Sequence, residues 1–151
     1  MLVTFEPEGS DKKVWVFDPM RVKSARSCEI ERKWKGEGGD PGTYAAWIEA
    51  LNVQGSAIAE RILLWYLLRY VDCAKVQYQD VDPLYGEIVV ERGVAELRQM
   101  MKIIKGMKIP EENEGERAEQ LKNLDEALEL AIARERELLG EVSGDPTPTT
   151  P

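Results

Sequence analysis

The chain offers few side chains that could perform catalysis. It contains no histidine, which removes the commonest general base and every Ser-His-Asp or Cys-His arrangement. It also lacks the GxxxxGK[ST] phosphate loop, and the glycines of segment 36–42 follow no strand that would make them a dinucleotide fingerprint. We therefore expect a protein that is not an enzyme.

The nearest approach to a metal-binding motif runs from Asp80 to Glu91. Acidic residues stand at the first, third and last positions of a calcium-loop pattern. The pattern fails elsewhere, because its fifth position carries no oxygen ligand, Gly86 comes one place late and Pro83 disturbs the turn. A capped acidic turn is the better interpretation, and we expect neither a metal nor a cofactor.

Cys28 and Cys73 are too few for a disulfide framework, and neither belongs to a CxxC pair. Without histidine a zinc site would lack ligands. The chain also shows no basic segment followed by the apolar run of a signal peptide. These features predict free thiols and an intracellular, reducing location.

Composition and charge limit the class of partner. A chain of 151 residues, 43% hydrophobic and 32% charged, is long enough to bury a core. Its formal net charge of −8 argues against nucleic acid, because phosphate binding needs a basic face.

The segment 56–72 predicts the central helix of the core. From Ile62 to Leu68 it is apolar on every face, so it must be enclosed by protein or by lipid. The run is far shorter than the ~18 to 20 residues that span a bilayer, so we expect no membrane segment. The predicted core residues of this helix are Ile62, Leu64, Trp65 and Leu68.

The four tryptophans, Trp15, Trp34, Trp47 and Trp65, are expected to pack in the core rather than form a ligand site.

Elements on both sides should wrap this helix. Two β-prone runs, 2–5 and 13–17, predict an N-terminal hairpin. Thr43 is a predicted N-cap for a short helix with Tyr44 and Trp47 on its apolar stripe. Segments 75–79 and 87–91 are candidate short strands, and the second could instead be an extended lead into the next helix.

The C-terminal part is more highly charged and has helical spacing. Residues 94–106 keep helical spacing, an acidic hinge follows at 111–116, and a long charged helix extends to Leu139. Its narrow stripe of Leu121, Leu124 and Leu128 needs a partner. That partner is either the preceding helix, in an antiparallel pair, or another chain. If the pair forms, the partner surface is expected around Tyr44 and Trp47; if not, the free leucine stripe is the docking site.

The predicted fold class is mainly α. A compact domain with an N-terminal β-hairpin covers residues 1–91, a charged helical hairpin covers 92–140, and a disordered tail covers 141–151.

In order, these segments resemble the tail assembly chaperones of long-tailed bacteriophages of actinobacteria. The resemblance covers about residues 12 to 91. It rests on the hairpin, Glu29-Ile30-Glu31-Arg32, the glycine-rich loop, Tyr44-Ala45-Ala46-Trp47, the Leu63-Leu64-Trp65 helix ending in Arg69, and Asp80-Val81-Asp82 with its acidic strand.

The resemblance implies a non-enzymatic chaperone in the host cytoplasm, absent from the mature virion. Its implied partner is the tape measure protein, with tail tube subunits as a second candidate. It also implies a longer form made by ribosomal frameshifting, and self-association stays open. Two other classes remain as alternatives: a structural virion component, such as a head–tail connector or minor tail protein, and a small helical adaptor acting on a host protein.

Overall fold

The computed structural model describes residues 1–52 and 56–142, with the side chains of 141 and 142 excepted. It is mainly helical with a small three-stranded antiparallel sheet, which confirms the predicted fold class. The chain divides into two compact units. We call Val3–Val90 the N-terminal unit, and Met1–Leu2 together with residues 91–142 the C-terminal unit.

The sheet has the order β2-β1-β3, with strands β1 (Leu2–Phe5), β2 (Lys13–Val16) and β3 (Ile88–Glu91). The predicted hairpin is confirmed, and segment 87–91 supplies the third strand. Segment 75–79 does not form the candidate strand. It leads into a 3-10 turn, Tyr78–Asp80, where the Asp80 carboxylate accepts a hydrogen bond from the Gln77 N–H at 3.2 Å. Such local side-chain bonds compete with a strand ladder.

Three helices, α1 (Ser24–Gly36), α2 (Tyr44–Asn52) and α3 (Ala57–Tyr66), pack on one another in the N-terminal unit. Thr43 caps α2 as predicted, because its hydroxyl accepts the Ala46 N–H at 3.2 Å. The helices bury a shared set of large side chains, among them Ile30, Trp47, Leu51, Ile62, Leu63, Leu64 and Trp65.

Helix α3 continues as a π-helical turn, Leu67–Val71, in which the Asp72 N–H donates to the Leu67 carbonyl five residues back, at 2.9 Å. This turn corrects one predicted core residue. Ile62, Leu64 and Trp65 are buried as expected, but Leu68 is only half-buried and Leu67 is buried instead. The wider turn shifts the helical register, so a spacing of four residues after Leu64 no longer returns to the buried face.

Trp34 departs from the prediction that all four tryptophans lie in the core. It is partly exposed, whereas Trp15, Trp47 and Trp65 are buried. Its indole N–H donates to the Pro41 carbonyl at 3.1 Å and so closes the glycine-rich loop. Gly39 passes so near that a Cβ there would lie 2.2 Å from the ring, which explains a glycine at this point.

The C-terminal unit is an antiparallel pair of helices, α4 (Val94–Gly106) and α5 (Glu114–Val142). Arg117 near the start of α5 donates to the Lys105 carbonyl at the end of α4 at 2.9 Å, and Glu135 accepts the Val94 N–H at the other end at 2.8 Å. The intramolecular pair is therefore confirmed, and the alternative of a free leucine stripe is wrong. The three stripe leucines are half-buried: Leu121, Leu124 and Leu128.

Helix α5 continues through Val142, beyond its predicted end at Leu139, and so includes the first two residues of the predicted disordered tail. The rest of the predicted disordered tail, 143–151, lies outside the described residues. Among the residues that are described, no helix combines the length and the apolarity needed to cross a membrane.

Candidate functional site

The surface predicted around Tyr44 and Trp47 is not an open one. Trp47 is 0% exposed, its indole N–H donates to the Ala59 carbonyl at 3.2 Å, and its ring meets Phe17 edge-on at 6.2 Å. The prediction that Trp47 belongs to an exposed partner surface is therefore wrong. The apolar face of a short helix packs against the core, and here the whole Trp47 side chain is buried there.

Tyr44 is half-buried and already engaged. Its hydroxyl donates to the Pro19 carbonyl at 2.8 Å, and burial raises the pKa of this phenol to about 12. Its backbone N–H donates to the Glu31 carboxylate at 2.9 Å. Whether its accessible part contacts a partner stays a prediction.

An open apolar groove of about 600 Å³ runs along α5 in the C-terminal unit. We call it the α5 groove. Its lining is mostly aliphatic, with charged side chains at the rim: Leu2, Leu97, Leu124, Ala127, Leu130, Ala131 and Ala133, with Glu91, Arg92, Arg134 and Glu137.

The groove has a fixed floor and one exposed apolar side chain. Leu2 and Leu97 are only 2% and 5% exposed, so they are held by the packing of the unit. Leu130 is 72% exposed. A single exposed leucine is common on protein surfaces, but this one adjoins the other apolar side chains of the groove and so extends an apolar patch. Ala127, three residues before Leu130, and Ala131, the residue after it, have small side chains that leave the groove open beside Leu130.

The rim carries charges of both signs. Arg134 lies 3.8 Å from the Glu91 carboxylate through Nε and 3.8 Å from that of Glu137 through Nη1. Exposed pairs of this kind contribute about 0–1 kcal/mol, so these side chains can exchange partners at little cost. The arrangement suits an amphipathic helix, whose apolar face would enter the groove while its flanks meet the rim.

Sequence reasoning predicted only one residue of this groove as a partner contact. That residue is Leu124, which lines the groove, whereas Ala127 and Leu130 were not singled out. The signal was present in segment 127–133, where Glu129 is the only polar residue. An apolar run of that length covers more than one helix face, and the stripe facing α4 uses only one.

The acidic segment after Asp80 forms capped turns, as predicted. Asp80 caps its 3-10 turn, and the Glu87 carboxylate accepts the Leu84 N–H at 2.7 Å and the Glu8 N–H at 3.3 Å. Within the described residues, no three Asp, Glu or Cys side chains are grouped so that they could hold a metal ion.

Comparison of the chain with protein-family models, with curated proteins and with solved structures gave no match.

Proposed function

We propose that this protein is a non-enzymatic assembly chaperone for the tape measure protein of a long-tailed bacteriophage. It binds that protein in the host cytoplasm during tail morphogenesis and does not remain in the mature virion. The observation that carries the proposal is the α5 groove with its exposed leucine, Leu130. The resemblance of residues 12 to 91 to the phage tail chaperones supplies the identity of the partner.

The groove supports a holding function because it is apolar, open and built on a pair of helices that are hydrogen-bonded to each other at both ends. Tape measure proteins are long, helical and prone to aggregation, so their apolar helix faces need temporary cover. Burial of apolar area contributes about 25 cal/mol per Å² to the binding free energy, so covering such a face stabilises the complex. The net charge of −8 keeps a chaperone of this type dispersed while it holds an aggregation-prone chain.

The alanines indicate what kind of segment binds. Ala127 and Ala131 lie on the groove side of α5, and their small side chains let another helix approach closely. The mixed charges of Arg134 and Glu137 at the rim accept a helix with both signs on its polar face. We therefore expect one amphipathic helix of the tape measure protein to occupy the groove.

The test is co-expression of the two proteins with Leu130→Glu and, as a matched control, Ile103→Glu. Both positions are exposed apolar residues on helices of the same unit, at 72% and 53%, but Ile103 lies outside the groove. Leu130→Glu should remove co-purification of the tape measure protein and leave the thermal midpoint unchanged. Ile103→Glu should retain it.

Four outcomes would contradict the proposal. Loss of binding in both variants would show that the groove is not the site. Failure of the wild type to co-purify while the tape measure protein stays soluble would remove the chaperone assignment. Detection of the protein in purified phage particles would favour a structural virion component, and a shift in oligomeric state with Leu130→Glu would show that a second copy fills the groove.

A further inference from the structure

The N-terminal unit carries a second pocket of a different character. It has a volume of about 420 Å³ and lies where α1, the end of α3 and the 3-10 turn meet. Its charged lining consists of four cations and one carboxylate: Arg26, Arg32, Lys33 and Arg69, with Glu29. Such a concentration of positive charge is notable in a chain whose formal net charge is −8.

The one carboxylate is already fully engaged. Glu29 accepts a hydrogen bond from the Arg26 guanidinium at 2.8 Å and another from the Tyr70 hydroxyl. That Tyr70 bond, with Arg26 in support, holds the pKa of Glu29 below its ordinary value despite partial burial. Glu29 therefore stays ionised and neutralises about one of the four cations.

Among the described residues, only Arg26 of the four cations forms a salt bridge, although the Glu29 and Glu37 carboxylates lie near enough to act on Lys33. Arg69 donates to the Val76 carbonyl at 3.0 Å, which fixes its position. The side chains of Arg32 and Lys33, by contrast, form no hydrogen bond or ion pair with any residue that the structure describes. Both belong to α1, and both line the pocket.

Aromatic rings hold the cations in place. The Lys33 ammonium lies 4.4 Å from the centre of the Trp65 ring and 4.7 Å from that of Tyr78. The Arg26 guanidinium lies 3.9 Å from the centre of the Tyr70 ring. These cation–π contacts order the donors in advance, so less conformational freedom is lost when an anion arrives. Partial burial of Lys33 also lowers its pKa.

We propose that this pocket is a binding site for carboxylates of a short acidic peptide segment from a protein partner. Arg32 and Lys33 are the primary contacts, and Arg26 and Arg69 supply the surrounding positive potential. Arginine matches a carboxylate with two parallel N–H donors, and lysine acts as a point charge beside it. The site is independent of the α5 groove and of the function proposed for it.

A peptide is favoured over a nucleic acid by the charge outside the pocket. A polynucleotide needs a basic surface along several phosphates, whereas the cations here are confined to one pocket of a strongly acidic chain. The aromatic faces of Trp65 and Tyr70 are also covered by Lys33 and Arg26, so they are not free to stack on bases. A peptide segment with two or three carboxylates, by contrast, can be bound by the cations of the pocket alone.

The test is binding of a fluorescein-labelled hexaglutamate peptide to the full chain, measured by anisotropy at low ionic strength. The double variant Arg32→Gln/Lys33→Gln should bind at least tenfold more weakly than the wild type. The matched control is Lys23→Gln/Lys35→Gln, which removes the same charge from the two ends of α1, outside the pocket. It should bind within about twofold of the wild type.

Arg32→Gln alone provides a second measurement, because this side chain is exposed and forms no hydrogen bond or salt bridge with a residue that the structure describes. It should weaken binding severalfold with an unchanged thermal midpoint. The proposal is overturned if the wild type does not bind the peptide, or if the control variant loses affinity as much as the pocket variant. Inorganic phosphate competing as well as the peptide, at equal concentration, would reduce the pocket to a general oxyanion site and reject the peptide assignment.

Discussion

The carboxylate of Glu135 on α5 accepts a hydrogen bond of 2.8 Å from the backbone N–H of Val94, the first residue of α4. Glu96 bonds the neighbouring Gly93 N–H at 3.0 Å. Two carboxylates therefore satisfy donors at the start of α4, where the helix dipole also favours negative charge. A Cβ at Gly93 would lie within 3 Å of both carboxylates, so a larger residue there would displace these two side chains from their hydrogen bonds.

The first prediction follows from this cap. Glu135→Ala should lower the free energy of unfolding by about 0.5–2 kcal/mol, the usual range for loss of a helix cap. Glu129→Ala, an exposed position on the same helix, should change it by less than about 0.5 kcal/mol. Urea denaturation of both variants measures the difference, and equal effects would show that the Glu135 bond does not stabilise the helix pair.

The second prediction concerns the core of the N-terminal unit. Trp65 is 3% exposed and packs edge-on against Tyr70 and Tyr78. Trp65→Ala should therefore cost about 3–5 kcal/mol, as for large aromatic deletions in packed cores. A thermal midpoint unchanged by the substitution would show that Trp65 contributes little to the core.

The third prediction is a pH dependence. The Tyr70 hydrogen bond, with Arg26, holds the pKa of Glu29 below its ordinary value of 4.5. A lowered carboxyl pKa gives stability that is present above the unfolded-state value and is lost as the pH falls through the folded-state value. The stability of Glu29→Gln should thus fall less steeply than that of the wild type below about pH 4.5.

Urea denaturation from pH 6 down to pH 3 measures this slope. Glu49→Gln, at an exposed position of α2, is the control and should follow the wild type. Parallel curves for Glu29→Gln and the wild type would mean that the Tyr70 bond does not favour the ionised carboxyl.

The fourth prediction uses the two cysteines. Cys73 follows the π-helical turn with φ at +55°, a left-handed conformation that costs a non-glycine residue about 1–2 kcal/mol. Glycine avoids this conformational cost but loses more backbone entropy on folding, which offsets part of the gain. Cys73→Gly should therefore stabilise the protein by about 0.5–1 kcal/mol. Cys28→Gly, inside α1, should instead destabilise it by a few tenths of a kcal/mol. A loss of stability in both variants would contradict the left-handed conformation at Cys73.

Much of the fold could be predicted from local patterns. The hairpin follows from β-prone runs with a period of two residues, and the leucine stripe of α5 follows from the helical period of 3.6 residues. The cap at Thr43 follows from its residue type just before a helical pattern. The π-helical turn could not be predicted, because nothing in Leu67–Val71 distinguishes it from an α-helix that would bury Leu68.

The candidate site was less predictable for a similar reason. Periodicity identifies which residues are apolar on one face, but it does not say which face the neighbouring helix covers. Trp47 was therefore predicted both to pack in the core and to lie at the partner surface, and only the first prediction is confirmed. Leu130 was overlooked, although it is 72% exposed. Likewise, the pairing of Lys33 with Trp65 joins two helices and has no signature within either segment.

The most direct test of the proposed chaperone function is site-specific photo-crosslinking during co-expression with the tape measure protein. A benzophenone amino acid is placed at position 130 in the α5 groove or at position 103 on the outer face of α4. Position 130 should give a crosslink to the tape measure protein, mapped by mass spectrometry to an amphipathic helical segment, and position 103 should give none. Crosslinking from position 103 alone, or from neither position while the two proteins still co-purify, would contradict the assignment of the groove as the binding site.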